Sequence, residues 1–343
     1  MIPHSRPWLN KRDIQAVHDA LTSGMIARGA KVSAFEEAVG EYLGIGAGVA
    51  TASGASALQL ALQCLGVRSG FEVVIPSYVC RSILDAVLSV GAIPKICDVN
   101  NFGVITAESV ATCISSKTAA IVAVHIFGHP CDIEKLKVFE LPIVEDACQA
   151  FGLKVDGKYA GTLGSIGIFS FHATKCLTTG EGGMLVSRNN SISREARNSF
   201  GLSLGKSQTR ASPMSDLQAV LGLSQMERYS EFLLRRKNIS EIFQTTAVQC
   251  GLVSAAEVHS NFLFRFTLSI NCPFEDIQSK FLAFGVHVRR GVDELLHRLM
   301  GLKDDQYLNS VNLFNSTCSV PFYPGLDDLE ITKVCRSIEA VLK

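Results

Sequence analysis

Apolar residues follow two rhythms along this chain. Spacings of three and four positions predict helices over 33–43 (SAFEEAVGEYL), 55–65 (ASALQLALQCL) and 80–90 (CRSILDAVLSV). Between them, the short apolar runs VVI (73–75), PKICDV (94–99), AAIVAV (119–124) and PIVEDA (142–147) predict strands buried on both faces. Such alternation predicts an α/β fold in three layers, a mainly parallel sheet with helices on both sides. Ligands of such sheets bind beyond the carboxyl ends of the strands, so candidate chemistry is sought there.

From residue 216 the pattern changes. DLQAVLGLSQMERYSEFLLRRKNISEIFQ, rich in helix formers and free of proline, predicts one long helix leading out of the first unit. A strand near 261–269 (NFLFRFTLS), a helix near 275–284, a strand near 286–290 and a last helix near 327–341 then predict a smaller α+β unit. The expected division is a large domain over 1–240, N-terminal segment included, and a small C-terminal domain over 241–343.

Charge and composition narrow the function by exclusion. Lys plus Arg and Asp plus Glu each total 32, for no formal net charge, so neither nucleic acid nor an anionic membrane is an expected partner. The 11 cysteines are scattered without a CxxC pair, as reduced thiols in a cytoplasmic protein are. MIPHSRPWLNKRD lacks an apolar signal region, and runs such as AAIVAV are too short to cross a bilayer. The expectation is a soluble cytoplasmic protein acting on a small molecule.

Five glycine-rich or polar stretches could carry the chemistry. GLKVDGKY (152–159) approaches a phosphate loop, but Tyr159 stands where a hydroxyl residue would reach Mg²⁺, so VDGKYAG is read as a hairpin turn. LGIGAG (43–48) follows a helix rather than a strand and is read as a helix C-cap with its loop. TASGASAL (51–58) opens directly into a helix, so its backbone N–H groups and the helix dipole suit a phosphate, with Ser53 and Ser56 as added hydroxyls; an ordinary serine N-cap explains it equally. IVEDACQAFG (143–152) ends a buried strand in Glu145 and Asp146, with Gln149 three residues on; one acid is a functional candidate, and a helix-capping aspartate is the alternative.

The fifth, GSIGIFSFHATK (164–175), reads as a strand delivering Ser170, His172 and Lys175 to the loop SFHATKCLTTGEGG. A lysine held there can serve as a nucleophilic amine, as a Schiff base requires. Phosphate cradle, carboxylate and lysine at one sheet edge are together what pyridoxal 5'-phosphate needs.

The order SGASAL, IPSY, VEDACQA, FSFHATKCLTTGEGG resembles that of the DegT/StrS-type family of pyridoxal-phosphate sugar aminotransferases, over nearly the whole chain from SRPWL to VPFYPGL. The resemblance implies the aspartate-aminotransferase fold type I. It implies an internal aldimine on Lys175, which also shuttles the proton, and Asp146 against the protonated ring nitrogen. Gln149 would lie near the phenolic oxygen, and Gly54, Ala55, Ser56 and Ser170 around the phosphate. It further implies a homodimer with shared active sites, and nitrogen transfer from an amino donor, usually L-glutamate, through pyridoxamine 5'-phosphate to a keto sugar nucleotide. Related dehydratases carry histidine in place of the lysine, so Lys175 favours transamination; a cyclitol or other ketone as acceptor, or a regulator without catalysis, are the remaining readings. His172 receives no chemical role.

Three stretches depart from that pattern. Cys80 stands where an aromatic residue commonly stacks on the ring, so either Tyr78 or another aromatic substitutes, or the ring sits against a thinner wall. TRASP (209–213) replaces the segment with the partner-subunit asparagine, with Arg210 as a substitute phosphate ligand. VRRGVDELLHR (288–298) replaces a His-Tyr pair, so the substrate end is unusual.

Overall fold

The computed structural model describes residues 1–200, 212–252 and 262–342. Its strands are β1 (Val49–Thr51), β2 (Glu72–Pro76), β3 (Ile93–Cys97), β4 (Thr118–Val124), β5 (Ile143–Asp146), β6 (Lys154–Val155), β7 (Lys158–Tyr159), β8 (Ile166–Ser170), β9 (Gly183–Val186), β10 (Phe266–Ser269), β11 (Arg289–Arg290) and β12 (Thr317–Val320). Seven form one sheet in the order β1-β9-β8-β5-β4-β2-β3. From β8 through β3 all neighbours are parallel, and β9 alone runs against both β8 and β1. The mainly parallel α/β sheet is as the hydrophobic pattern predicts, because strands such as Ile143–Asp146 are buried at every position.

β6 and β7 form the hairpin expected of VDGKYAG, with Asp156 and Gly157 both at positive φ (48° and 78°) in its turn. The glycine after the helix Ala30–Leu43, Gly44, is a left-handed C-cap at φ 66°, the role read for LGIGAG. The helix Lys11–Ser23 lies outside the hydrophobic-pattern expectation. Its sequence signal is the capping box in which Asn10 and Asp13 bond each other's backbone N–H.

The long helix expected from 216 is two helices, Asp216–Met226 and Tyr229–Gln249. Arg228 breaks it at φ −124°, ψ 20°. The cause is tertiary: buried Arg228 donates from Nη2 to the Asp13 carboxylate and to the Trp8 carbonyl at 2.9 Å. Asp13 also accepts from Ser224 Oγ (2.6 Å), Gln225 Nε2 (3.1 Å) and the Asn10 amide (2.8 Å). That carboxylate thus bolts the N-terminal helix to both halves of the broken one.

The helix Tyr229–Gln249 joins two apolar cores, Phe232 packing in the first and Ile239, Phe243 and Ala247 in the second. A three-stranded sheet, β10-β12-β11, lies in the second core. Both of its predicted strands are shorter than expected. Around 262–265 the Phe264 amide donates to Phe127 O (2.9 Å) instead of a ladder partner, and position 261 lies outside the described residues. Near 286 the partner is Ile2, whose amide donates to Gly285 O (2.8 Å) and whose carbonyl accepts from His287 N (3.0 Å).

Removing one partner of a buried ion pair strands the other charge. Asp13→Ala is therefore expected to lower the unfolding free energy by about 3–5 kcal/mol in urea titration, and adding Arg228→Met to recover part of the loss. A loss below about 1 kcal/mol for Asp13→Ala would show that this carboxylate does not hold the three helices together.

Candidate active site

At the end of β1 the chain turns at Ser53 into the helix Gly54–Cys64. Ser53 caps it, its Oγ accepting from the Ser56 amide at 3.1 Å, and its carbonyl accepts from Ala57 N at 3.0 Å. The serine cap and the phosphate-binding turn therefore coexist: Ser56 N–H is used in the cap, while Gly54 and Ala55 keep amides with no protein acceptor among the described residues. Gly54 has no room for a side chain, since a Cβ there would lie 2.9 Å from Ser170 Cβ and 3.1 Å from Cys148 Sγ. Three separate motifs thus meet at one point: the SGAS turn, Ser170 at the end of β8, and Cys148 just past β5.

Of the two adjacent acids, the backbone separates the roles by turning them to opposite faces of β5. Glu145 is fully buried and accepts from His125 Nε2 (3.0 Å), Gly161 N (2.8 Å), and the amides of Leu163 and Gly164. His125 Nδ1 accepts from the Cys131 amide (3.0 Å), which assigns the ring proton to Nε2, facing Glu145. Burial pushes the Glu145 carboxyl up, but the bonds from His125 and the two glycine amides outweigh it and hold the group below the usual glutamate range. Glu145 is structural. Asp146, also buried, accepts the Cys148 amide at 2.9 Å on Oδ1, and among the described residues it pairs with no cation.

The loop SFHATKCLTTGEGG spends most of its polar groups on its own shape. His172 Nδ1 accepts from the Thr174 amide (3.2 Å), Thr178 Oγ1 bonds Phe171 O (3.1 Å), Thr179 Oγ1 bonds Glu181 O (2.6 Å), and the Lys175 amide closes a turn on His172 O (2.9 Å). His172 is thereby a turn-holding residue. The amine of Lys175 lies 5.0 Å from the Phe264 ring centre, a cation–π approach, and among the described residues it meets no carboxylate within ion-pair reach.

Cys80, Cys148 and Cys176 surround this amine. Burial raises all three thiols above the ordinary cysteine value; the Asp146 charge adds to the effect for Cys80 and Cys148, and nearby Lys175 only partly offsets it. Raised thiols stay protonated and are poor nucleophiles, which leaves the amine as the group suited to covalent chemistry. Cys80 is exposed, its Sγ 3.0 Å from Ser82 Oγ. Tyr78, by contrast, is committed to the interior, edge-on to Phe127 at 6.2 Å and 90°. The expected substitution of Tyr78 for an open aromatic wall is not what the structure contains.

Gln149 Oε1 accepts from the Phe127 amide at 2.9 Å, leaving its amide NH₂ without a protein acceptor among the described residues. Arg210 lies outside the described residues; Ser212, at the far end of TRASP, accepts from the Ala52 amide at 2.8 Å, beside the Ser53 turn. Sequence reasoning missed Phe264 and Arg265. Their signal was an arginine inside the apolar strand pattern NFLFRFTLS.

Bare helix-terminal amides beside a glycine that admits no side chain, a carboxylate without a cationic partner and an amine without an acidic one, all among the described residues, suit a phosphorylated, cationic, carbonyl-bearing group. Pyridoxal phosphate is such a group, and these residues fit it.

The DegT/DnrJ/EryC1/StrS aminotransferase family profile matches residues 7–339. GDP-perosamine synthase of Vibrio cholerae is 28% identical, covering 99% of this chain and 98% of that one. Among solved structures, the aminotransferase TlmJ of Streptoalloteichus hindustanus superposes with TM-score 0.93 at 28% identity, covering 100% of this chain and 99% of that one. The PMP-form of Spr1654 from Streptococcus pneumoniae shares the fold, with TM-score 0.91 at 24% identity over 99% of this chain and 97% of that one.

The Glu145 contribution to stability is complete above the unfolded glutamate pKa, about 4.3, and is lost as the pH falls through its lower folded value. Wild type is expected to exceed Glu145→Gln by about 3–5 kcal/mol near neutral pH and to lose that advantage in acid. An advantage that persists unchanged down to about pH 3 in denaturant titrations would contradict this account of the carboxylate.

Proposed function

From the premise that the chain belongs to the DegT/DnrJ/EryC1/StrS aminotransferase family, and is a pyridoxal-phosphate-dependent sugar aminotransferase, we propose that it moves an amino group from L-glutamate to a keto sugar nucleotide. The observation that carries this reading is the meeting of Gly54, Ser170, Asp146 and Lys175 around Cys148. Bound pyridoxal phosphate supplies an electron sink for charge developing on the substrate carbon.

The chain's own residues supply the rest. The amides of Gly54 and Ala55 would hold the phosphate at the helix N-terminus, with the hydroxyls of Ser56 and Ser170 beside them. Asp146 would face the ring nitrogen and favour its protonated form. Gln149, steadied through Phe127, would offer its NH₂ to the phenolic oxygen. Lys175 would anchor the cofactor through its amine and serve as the general base for the proton at the substrate carbon.

The name of the GDP-perosamine synthase relative supports a nucleotide-linked sugar, and Lys175 in place of the dehydratase histidine supports transamination over dehydration. A homodimer is part of the same reading. The exposed apolar residues Ile14, Leu21 and Met25 (68%, 56% and 72% exposed), along and just beyond the helix Lys11–Ser23, suit cover by a second copy. No helix among the described residues is long and apolar enough to cross a membrane, which suits a cytoplasmic enzyme. In this reading residues 1–240 form the cofactor-binding part and 241–343 the smaller one.

Purified protein is expected to show a visible absorption band with pyridoxal phosphate, and L-glutamate to convert it to the shorter-wavelength pyridoxamine form. Lys175→Ala should lose the band. Asp146→Asn, which keeps shape but not charge, should retain cofactor yet slow the glutamate half-reaction by about a hundredfold or more. A protein that stays colourless after reconstitution would sink the aminotransferase reading, and a band that no amino donor alters would point to the dehydratase or regulatory alternative.

A further inference from the structure

We propose that Arg265 is the anion-binding residue of this site, receiving a carboxylate or phosphate group of a substrate on the open side of its guanidinium. The inference rests on the aminotransferase reading for the identity of the substrates, though not for the existence of the anion site.

Arg265 precedes β10, between two buried phenylalanines, Phe264 of the first core and Phe266 of the second. Its guanidinium carbon lies 5.4 Å from the Phe127 ring centre and 6.0 Å from that of Phe264, the ring that the Lys175 amine also faces. Tyr78 and Cys80 also lie close enough to act on its charge, and Cys80 in turn feels Lys175, so Arg265 stands beside the residues around that amine. Nη1 is anchored to the carbonyls of Gly291 (2.8 Å) and Arg290 (3.2 Å). Gly291 also admits Tyr78 beside it, since a Cβ there would fall 1.8 Å from the Tyr78 hydroxyl.

Among the described residues, Arg265 has no ion-pair partner. Buried Arg228 has Asp13, and Arg290 has Glu275 at 2.6 Å. Buried Arg236 turns its nitrogens to three backbone carbonyls, those of Leu263, Phe264 and Phe322. Among the described residues Nε and Nη2 of Arg265 donate to no protein acceptor, and Arg265 makes no ion pair. Asp293, a carboxylate whose charge reaches Arg265, is engaged by Arg289 at 3.0 and 3.1 Å.

Burial, and then repulsion from Arg289, lower the Arg265 guanidinium to about 10, so it is still a cation at neutral pH. A half-buried cation without a partner costs free energy that an incoming oxyanion would offset, and the guanidinium fork matches a carboxylate or phosphate.

The test titrates the pyridoxal-phosphate-loaded enzyme by calorimetry with two unreactive probes, glutarate for a carboxylate and inorganic pyrophosphate for a phosphate. In parallel, the glutamate concentration that half-saturates the spectral change is measured. Arg265→Leu is expected to weaken one probe by about tenfold to a hundredfold with the visible band intact, and Arg265→Lys, which keeps charge but loses the fork, by less. Loss confined to glutarate, with a matching rise in the glutamate requirement, assigns the site to the amino donor. Loss confined to pyrophosphate assigns it to the nucleotide-linked acceptor. Both probes within about twofold of wild type in Arg265→Leu, or in Arg265→Gln should the leucine variant not fold, would overturn the proposal. A wild type that never develops the band, yet loses probe binding on substitution, would refute the aminotransferase reading and leave the anion site standing.

Discussion

A carboxylate with no access to water, Glu145, is the constraint on which the site depends. A buried charge survives only when donors surround it. Glu145 gathers His125 from the end of β4 and the amides of Gly161, Leu163 and Gly164 from the segment entering β8. Three consecutive parallel strands of the sheet are thereby locked at one end. β8 then emerges with Ser170 against Gly54, and the loop beyond it returns through Thr178 and Thr179 with Lys175 displayed. Since one acid of the pair is consumed in this way, strand alternation leaves its neighbour Asp146 on the other face, with one oxygen uncommitted.

A second set of contacts brings the smaller sheet over that edge. Phe127, held in the left-handed region at φ 55°, receives Gln149 Oε1 on its amide and the Phe264 amide on its carbonyl. Such a backbone conformation costs on the order of 1 kcal/mol or more in a non-glycine residue, so its surroundings must over-determine it. Here the two hydrogen bonds tie β5's exit loop to the segment that carries Phe264 and Arg265. The Asp13–Arg228 pair acts on the opposite side, setting the direction in which the helix Tyr229–Gln249 leaves the first core for the second.

Much of this was legible in the residues. The buried apolar runs predicted the parallel strands because such strands have no polar face, and the Ser53 cap marked the start of its helix because orphan amides require an acceptor. The helix break at Arg228, the pairing of Ile2 with the segment near 286, and the shortened β10 were not legible. Each depends on a partner far away in the chain, and local propensity carries no information about such partners. The same holds within VEDACQA: sequence marks two adjacent acids, and only their separate environments tell them apart.

By itself, the sequence determined the α/β layering, the hairpin at Asp156–Gly157 and the family of chemistry, because periodicity, turn residues and motif order are local properties. Tertiary structure decided that Glu145 is a strut and Asp146 is left open, that Tyr78 is buried while Cys80 is exposed, and that Arg265 stands without a counter-ion among the described residues. The reason is electrostatic: the state of a charge or hydroxyl is set by the donors, acceptors and water around it, and those are assembled only when distant segments pack.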